Sequence, residues 1–368
     1  MMKAIAVVPG VAGSQLVERP EPSLTAPDQV KLKVLRVGIC GTDREEVAGG
    51  RALLPAGQKD LVIGHEMLGQ VVETGRAVTR VKPGDLAVFT VRRGCGECAS
   101  CAMHRADMCE TGHYKERGIW GLDGYQAEFV LDTEAHLVPV PALLAEVGVL
   151  IEPLTIVEKA ISEALRWQLL RRPDAAVAPD WIVGRRCLVA GLGPVGLLAA
   201  LVLRLRGAQV FGLDIADPAS PRPQWLVALG GHYVDGRSLA PGQLGQAAGS
   251  MDLIVEAAGI PSLEFNLFDA LAFNGVYVLT GIPGGDRPLA VDAGRIVRHL
   301  VLHNLALLGS VNAARGHFQM AVDDLLAAHL RWPGKVAELI THHHPLAQFQ
   351  APLAQITPGA IKEVIEWQ

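Results

Sequence analysis

The chain has 368 residues, 50% of them hydrophobic, enough to bury the cores of two domains. With 33 basic against 38 acidic residues the formal charge is -5, which argues against a nucleic-acid face and toward small-molecule chemistry. Only six cysteines, no apolar signal segment at the start and no run near the roughly 18 apolar residues that cross a bilayer exclude a disulfide-dense secreted scaffold and a membrane partner, and set the expectation of a cytoplasmic protein.

The first 140 residues read as β-structure. In "QVKLKVLRVGIC" (29–40) Val30, Leu32 and Val34 alternate with polar neighbours, and "LGQVVETGRAVTRVKPGDLAVF" (68–89) reads as two strands around turn residues, which together suggest a small barrel. "GICGTD" (38–43) and "GHE" (64–66) place Cys40, Thr42, His65 and Glu66 at strand ends. An isolated cysteine is usually inert core, but a histidine beside a glutamate could supply the nitrogen and oxygen ligands of a catalytic zinc.

"GCGECASCAMHRADMCE" (94–110) follows, with Cys95, Cys98, Cys101 and Cys109 in one window. In a reducing compartment CxxC spacing turns two thiolates onto one metal ion, which disfavours a disulfide knot. A ferredoxin-type cluster wants CxxCxxCxxxCP, whereas here seven residues separate Cys101 from Cys109 and Glu110 follows. Tetrahedral zinc fits best, and four sulfurs leave no open position, so the expected role is structural, clamping a lobe from about 92 to 116.

The segment 170–184 carries proline and charge with little periodicity and reads as a connection. From about 181, apolar strand bursts alternate with helix-length stretches, the pattern of a doubly wound parallel sheet. "GLGPVG" supplies Gly191, Gly193, Pro194, Val195 and Gly196 between a strand and a helix, the context in which GxGxxG binds a dinucleotide pyrophosphate. Asp214 ends the next strand, eighteen residues after Gly196, where a carboxylate accepts ribose hydroxyls and repels a 2′-phosphate. NAD is therefore favoured; Asp214 as a mere turn cap and Arg222 as a phosphate partner keep NADP open. Cys187 reads as core, the three histidines 342–344 as a solvated loop, and the tail from about 305 as mixed helix and short strand.

Along its whole length the chain resembles the zinc-containing medium-chain alcohol dehydrogenase family, with "CGTD", "GHE", "VKPGD", the four-cysteine lobe and "GLGPVG" in the family's order. Within it the sequence is most similar to the archaeal-type glucose dehydrogenases, through "ICGTDRE" (39–45), "TVRRGCGEC" (90–98), "CETGHYKERGI" (109–119), "DGYQAEF" (123–129), "IEPLTIVEKA" (151–160) and "GSVNAARGHF" (309–318).

The resemblance implies a GroES-like β-barrel catalytic domain over 1–155, a Rossmann nucleotide domain over 156–304, and a segment 305–368 returning to the first, with the active site in the cleft between. It implies a second zinc ion, catalytic, on Cys40, His65 and a carboxylate, with Glu66 and Glu152 the candidates, and a homodimer or homotetramer. A zinc with an open position acidifies a substrate hydroxyl, hydride passes to the nicotinamide, and Thr42 can relay the proton. Applied to C1 of an aldose this gives a lactone, and Glu116 and Asn312, with Thr42 and Glu152, match sugar-contacting positions. Glu116 could instead pair with Arg117 or Arg93 on the surface, and Asn312 could be a turn residue. Ala314 departs from the asparagine usual in that motif, which weakens glucose itself more than the aldose class. The alternatives are a polyol or secondary-alcohol dehydrogenase and a non-catalytic, nucleotide-binding redox sensor.

Overall fold

The computed structural model describes residues 1–171, 181–239, 243–284 and 288–367. Most of the connection read over 170–184, namely 172–180, lies outside the described residues.

The chain opens with β1 (Met2–Val7), β2 (Gln15–Arg19) and β3 (Gln29–Ile39), turns through helix α1 (Gly41–Val47), and continues through β4 (Leu61–Val62), β5 (Glu66–Thr74) and β6 (Leu86–Phe89). The cysteine-rich lobe is β7 (Arg92–Arg93), α2 (Ala99–Ala102) and β8 (Lys115–Arg117), followed by β9 (Gly121–Leu122), β10 (Phe129–Thr133), β11 (Leu137–Val140) and the long helix α3 (Ile151–Arg171). An alternating run comes next: β12 (Arg186–Ala190), α4 (Pro194–Leu205), β13 (Gln209–Asp214), α5 (Pro221–Ala228), β14 (His232–Asp235), α6 (Leu244–Ala248), β15 (Met251–Glu256), α7 (Pro261–Asn266), β16 (Leu271–Leu279), α8 (Ala293–Leu302) and β17 (Ala306–Gly309). The tail is α9 (Arg315–Arg331), β18 (Ile340–Pro345), α10 (Gln350–Ala354) and β19 (Lys362–Glu366).

Two compact units result: Met1–Thr155 with Asn312–Gln368, and Ile156–Val311. In the first, β3 is the spine, paired antiparallel with β5, β10 and β19. Its alternation buries Val30, Leu32, Val34, Val37 and Ile39 in one core with Met67, Phe89, Tyr125 and Ile365. Two register irregularities against β5 bend it, as bulges do, and help the sheet curl. Gly38 lies opposite Glu66 in that ladder, and a Cβ there would fall 2.1 Å from Glu66 Oε2, so only glycine leaves room for the carboxylate.

The second unit is a parallel sheet in the order β14-β13-β12-β15-β16-β17, helices alternating with strands, with Cys187 fully buried in β12. Relative to β12 as the first strand the order is 3-2-1-4-5-6, which leaves a crevice at the carboxyl ends of β12 and β15.

Two sequence expectations change. Ala306–Gly309 continues the parallel ladder beside β16, so the chain returns to the first unit at Asn312 rather than at 305. The three histidines are not a solvated loop but part of β18, parallel to β19, with His343 Nδ1 2.7 Å from Glu366 and His344 Nε2 3.1 Å from Glu363. Their polarity hid a strand whose pairing is supplied from elsewhere in the chain.

Candidate active site

Cys40 follows β3 directly and precedes α1; its backbone N–H donates to Asp43 Oδ2 at 2.8 Å, which fixes the turn between them. His65 precedes β5, and its Nε2 stands 3.2 Å from Cys40 Sγ. Glu66, the first residue of β5, completes a set in which one sulfur, one nitrogen and one oxygen all lie within 4.8 Å of one another. Behind the imidazole, Asp43 Oδ1 faces His65 Nδ1 at 3.8 Å, beyond hydrogen-bond reach but close enough to orient the ring toward Cys40. The β3–β19 register brings in Lys362, fully buried, whose Nζ donates to Glu66 Oε2 at 2.5 Å and to the Ile39 carbonyl at 3.1 Å.

Glu152, in the first turn of α3, stands beside this set rather than in it. Burial pushes its carboxyl up to about 7, Glu66 adding to the shift and His65 and Lys362 opposing it. Glu46 on α1 is raised further, to about 9, by burial and by Asp43. Neither oxygen of Glu46, nor His65 Nδ1, nor Asp43 Oδ1 finds a hydrogen-bond partner among the described residues. The pocket is thus rich in buried acids with one lysine against them, a surroundings that a dication would relieve. Thr42, half-buried on α1, keeps a hydroxyl with no hydrogen-bond partner among the described residues.

In the lobe, the sulfur atoms of Cys95, Cys98, Cys101 and Cys109 gather within 4.8 Å of one another, and all six cysteines of the chain are free thiols. Backbone N–H groups of Glu97 and Cys101 point at the sulfurs of Cys95 and Cys98, both at 3.5 Å. The Thr111 hydroxyl beside it holds the Cys109 thiol down at about 6. Helix α2 buries none of its residues, so apolar packing contributes little to this loop.

Glu116 and Asn312, 196 positions apart, meet: Asn312 Nδ2 donates to Glu116 Oε1 at 2.6 Å. Asn312 adopts φ +60, in the left-handed region that asparagine tolerates, and its Oδ1 accepts from the Ala313 N–H at 2.8 Å. Glu116 is buried, and its partner is neither Arg93 nor Arg117, which both bind Asp132, but Arg92, directly opposite it across the β7–β8 pair.

At the end of β12, Gly191 takes φ +89, and a Cβ there would meet Ala258 at 2.9 Å; one on Gly193 would meet nothing within 4 Å, so a ligand can approach the backbone. Pro194 opens α4 at its N-terminus, with Val195 and Gly196 in its first turn. Asp214 Oδ2 accepts from the Leu192 N–H at 2.6 Å and Oδ1 from Ala216 N–H at 2.9 Å, so the carboxylate braces the glycine turn and caps the next one while keeping lone pairs for a ribose. Gly191, Gly193, Asp214, Ile215, Arg222 and Ala258 line a cavity of about 380 Å³. These groups fit a dinucleotide.

Residues 145–367 match the family model described as glucose dehydrogenase C-terminus, and 26–142 the alcohol dehydrogenase GroES-like domain. The chain belongs to the zinc-containing medium-chain alcohol dehydrogenases, in the glucose 1-dehydrogenase branch. It is 39% identical to the glucose 1-dehydrogenase of Thermoproteus tenax, over 100% of both chains, and 38% identical to that of Methanocella arvoryzae, over 92% of both. Its structure matches Haloferax mediterranei glucose dehydrogenase in complex with NADP, Zn and gluconolactone, at TM-score 0.86 and 36% identity over 100% of this chain and 99% of that one. Galactitol-1-phosphate dehydrogenase from Escherichia coli, at 20% identity and TM-score 0.79, shares the fold: a GroES-like domain with a parallel-sheet nucleotide domain.

In this dehydrogenase, sequence reasoning missed Asp43, Lys362 and Arg92. Asp43 carried a signal, three residues after Cys40 in "CGTD". Lys362 carried none, since it reaches Glu66 across 296 positions. Arg92 was masked by its neighbour: strand alternation sends Arg92 to Glu116 and Arg93 to Asp132, and a doubled arginine does not say which goes where. Among the described residues, no helix is long and apolar enough to cross a membrane.

Proposed function

We propose that the chain oxidises an aldose, D-glucose first, at C1 to the aldonolactone and delivers the hydride to a nicotinamide cofactor. The observation that carries this reading is a soft–hard donor set, Cys40, His65 and a carboxylate, in the same unit that joins Glu116 to Asn312. The gluconolactone, zinc and NADP named for the Haloferax enzyme support it.

One sulfur, one nitrogen and one oxygen suit a zinc ion that keeps a fourth position for substrate, and the ion supplies the Lewis acidity that lets a sugar hydroxyl release its proton near neutral pH. Cys40 and His65 would hold it, with the Asp43 carboxylate facing the far side of the imidazole. Glu66 lies within ligand reach although Lys362 occupies its Oε2, and Glu152, with a carboxyl raised to about 7, has charge to offer once a cation is near. Thr42 accepts the proton from the C1 hydroxyl and passes its own toward water. Glu116 and Asn312 bind further hydroxyls, which disfavours simple alcohols because Oε2 of the buried Glu116 would be left unpaired. Asp214 receives the adenosine ribose and favours NAD over NADP. The enzyme works in the cytoplasm, where its six free thiols stay reduced, as a homodimer or homotetramer.

Rates followed at the reduced-nicotinamide absorbance band, over aldoses, polyols and simple alcohols with NAD and with NADP, test this. Turnover of D-glucose with NAD preferred is the expected result. Activity confined to polyols would remove the aldose reading, and a preference for NADP would remove the role given to Asp214.

The second zinc belongs to Cys95, Cys98, Cys101 and Cys109, a closed site that holds the lobe where packing does not. Cys98→Ser is expected to release that ion and lower Tm by about 5–10 °C. An unchanged zinc content and melting curve would show the lobe to be self-supporting.

A further inference from the structure

We propose that Arg92 is a positioning residue for sugar recognition, tying the carboxylate of Glu116 to the four-cysteine lobe; this rests on Glu116 being the sugar's hydrogen-bond acceptor. Three donors converge on a single oxygen: Arg92 Nε at 3.1 Å, Arg92 Nη2 at 2.9 Å and Asn312 Nδ2 at 2.6 Å all reach Glu116 Oε1. Among the described residues, Oε2 takes no hydrogen bond. Loading one oxygen fixes the carboxylate plane and leaves the other as the acceptor presented to a hydroxyl.

The guanidinium is itself held on its remaining edge and on one face. Nη1 donates to the Asp107 carbonyl at 2.9 Å, in the stretch between Cys101 and Cys109, and the Tyr114 ring lies 3.9 Å from Cζ. Arg92 and Glu116 are 8% and 5% exposed, so water does not substitute for these bonds. A planar fork meets the carboxylate through two nitrogens and the lobe through the third; a lysine has one nitrogen and cannot do both. The lobe thereby acts on substrate binding as well as on its own folding, and Arg92 is the link.

The test compares Arg92→Lys, Glu116→Gln and the double variant with the unaltered enzyme, measuring KM and kcat for D-glucose, KM for the cofactor, zinc content and Tm. Arg92→Lys keeps a buried cation beside Glu116 and so guards against the misfolding that an uncharged replacement invites. We expect KM for glucose to rise about 10- to 100-fold in Arg92→Lys, with kcat within about threefold and the KM for the cofactor unchanged. The double variant should be no worse than the poorer single one, because both changes break the same contact. Wild-type KM for glucose in Arg92→Lys alongside a raised KM in Glu116→Gln overturns the inference and leaves Glu116 in place. A parallel loss of kcat, both KM values and Tm makes Arg92 merely structural and overturns it as well. Wild-type KM in Glu116→Gln instead removes the sugar role of Glu116, and this inference falls with it.

Discussion

Replacing His65 by alanine is expected to leave one zinc ion per chain against the two expected of the unaltered chain, and to lower turnover by roughly a thousandfold or more. The imidazole is the central member of the donor set: its Nε2 lies 3.2 Å from Cys40 Sγ, and its other nitrogen faces Asp43. Without it a thiol and a carboxylate remain, too few to hold an ion against water, while the acids of the pocket lose the cation that offsets them. The lobe's four sulfurs lie on other elements and keep their ion, so metal analysis separates the two sites. Two zinc ions in the variant, or activity within tenfold of the parent, would mean that the catalytic ion sits elsewhere.

The second large effect is expected at Gly196, where valine should weaken NAD(P) binding by about a hundredfold. A Cβ at this position would stand 1.8 Å from the Gly191 carbonyl oxygen and 2.9 Å from its carbon. Both are backbone atoms in the turn that closes against α4, so no side chain can rotate away; the helix must move. Its N-terminus is the end that faces a pyrophosphate, and a shift of an ångström there removes the aim of the N–H groups. Fluorescence titration with NAD and with NADP measures the effect directly, without any need for turnover. Binding as tight as in the parent would show that the glycine turn is not the pyrophosphate site.

Local patterns carried most of the architecture. Alternation in 29–40 made β3 readable, and strand–GLGPVG–helix made the nucleotide turn readable, because both signals lie within one element and its neighbour. The nearness of Cys40, His65 and Glu66 was legible for the same reason: they stand at strand ends, and the structure brings their donor atoms within 4.8 Å of one another. What stayed hidden depends on register across the chain. Nothing near Lys362 announces that β19 will lie against β3 and carry a cation into contact with Glu66. The histidines of β18 read as a loop because their composition is polar and their strand partner lies twenty residues on. The short stretch Ala306–Gly309 read as the start of the tail, since only its parallel neighbour β16 makes it the last strand of the sheet.

The pairing of β3 with β19 also fixes an order of events during synthesis. The second unit is one uninterrupted stretch, 156–311, and its contacts can form as that stretch leaves the ribosome. The first unit cannot close then: Lys362 reaches the Ile39 carbonyl only after 323 further residues have been made, and the Trp367 N–H bonds Leu35 later still. Until that moment the Arg36–Ile39 stretch of β3 has no strand partner on one edge, and Glu66 waits beside Cys40 and His65 without its cation. A nascent chain therefore carries a finished parallel-sheet unit while the unit of Cys40, His65 and Glu66 is still open, and only residues 362–367 close it.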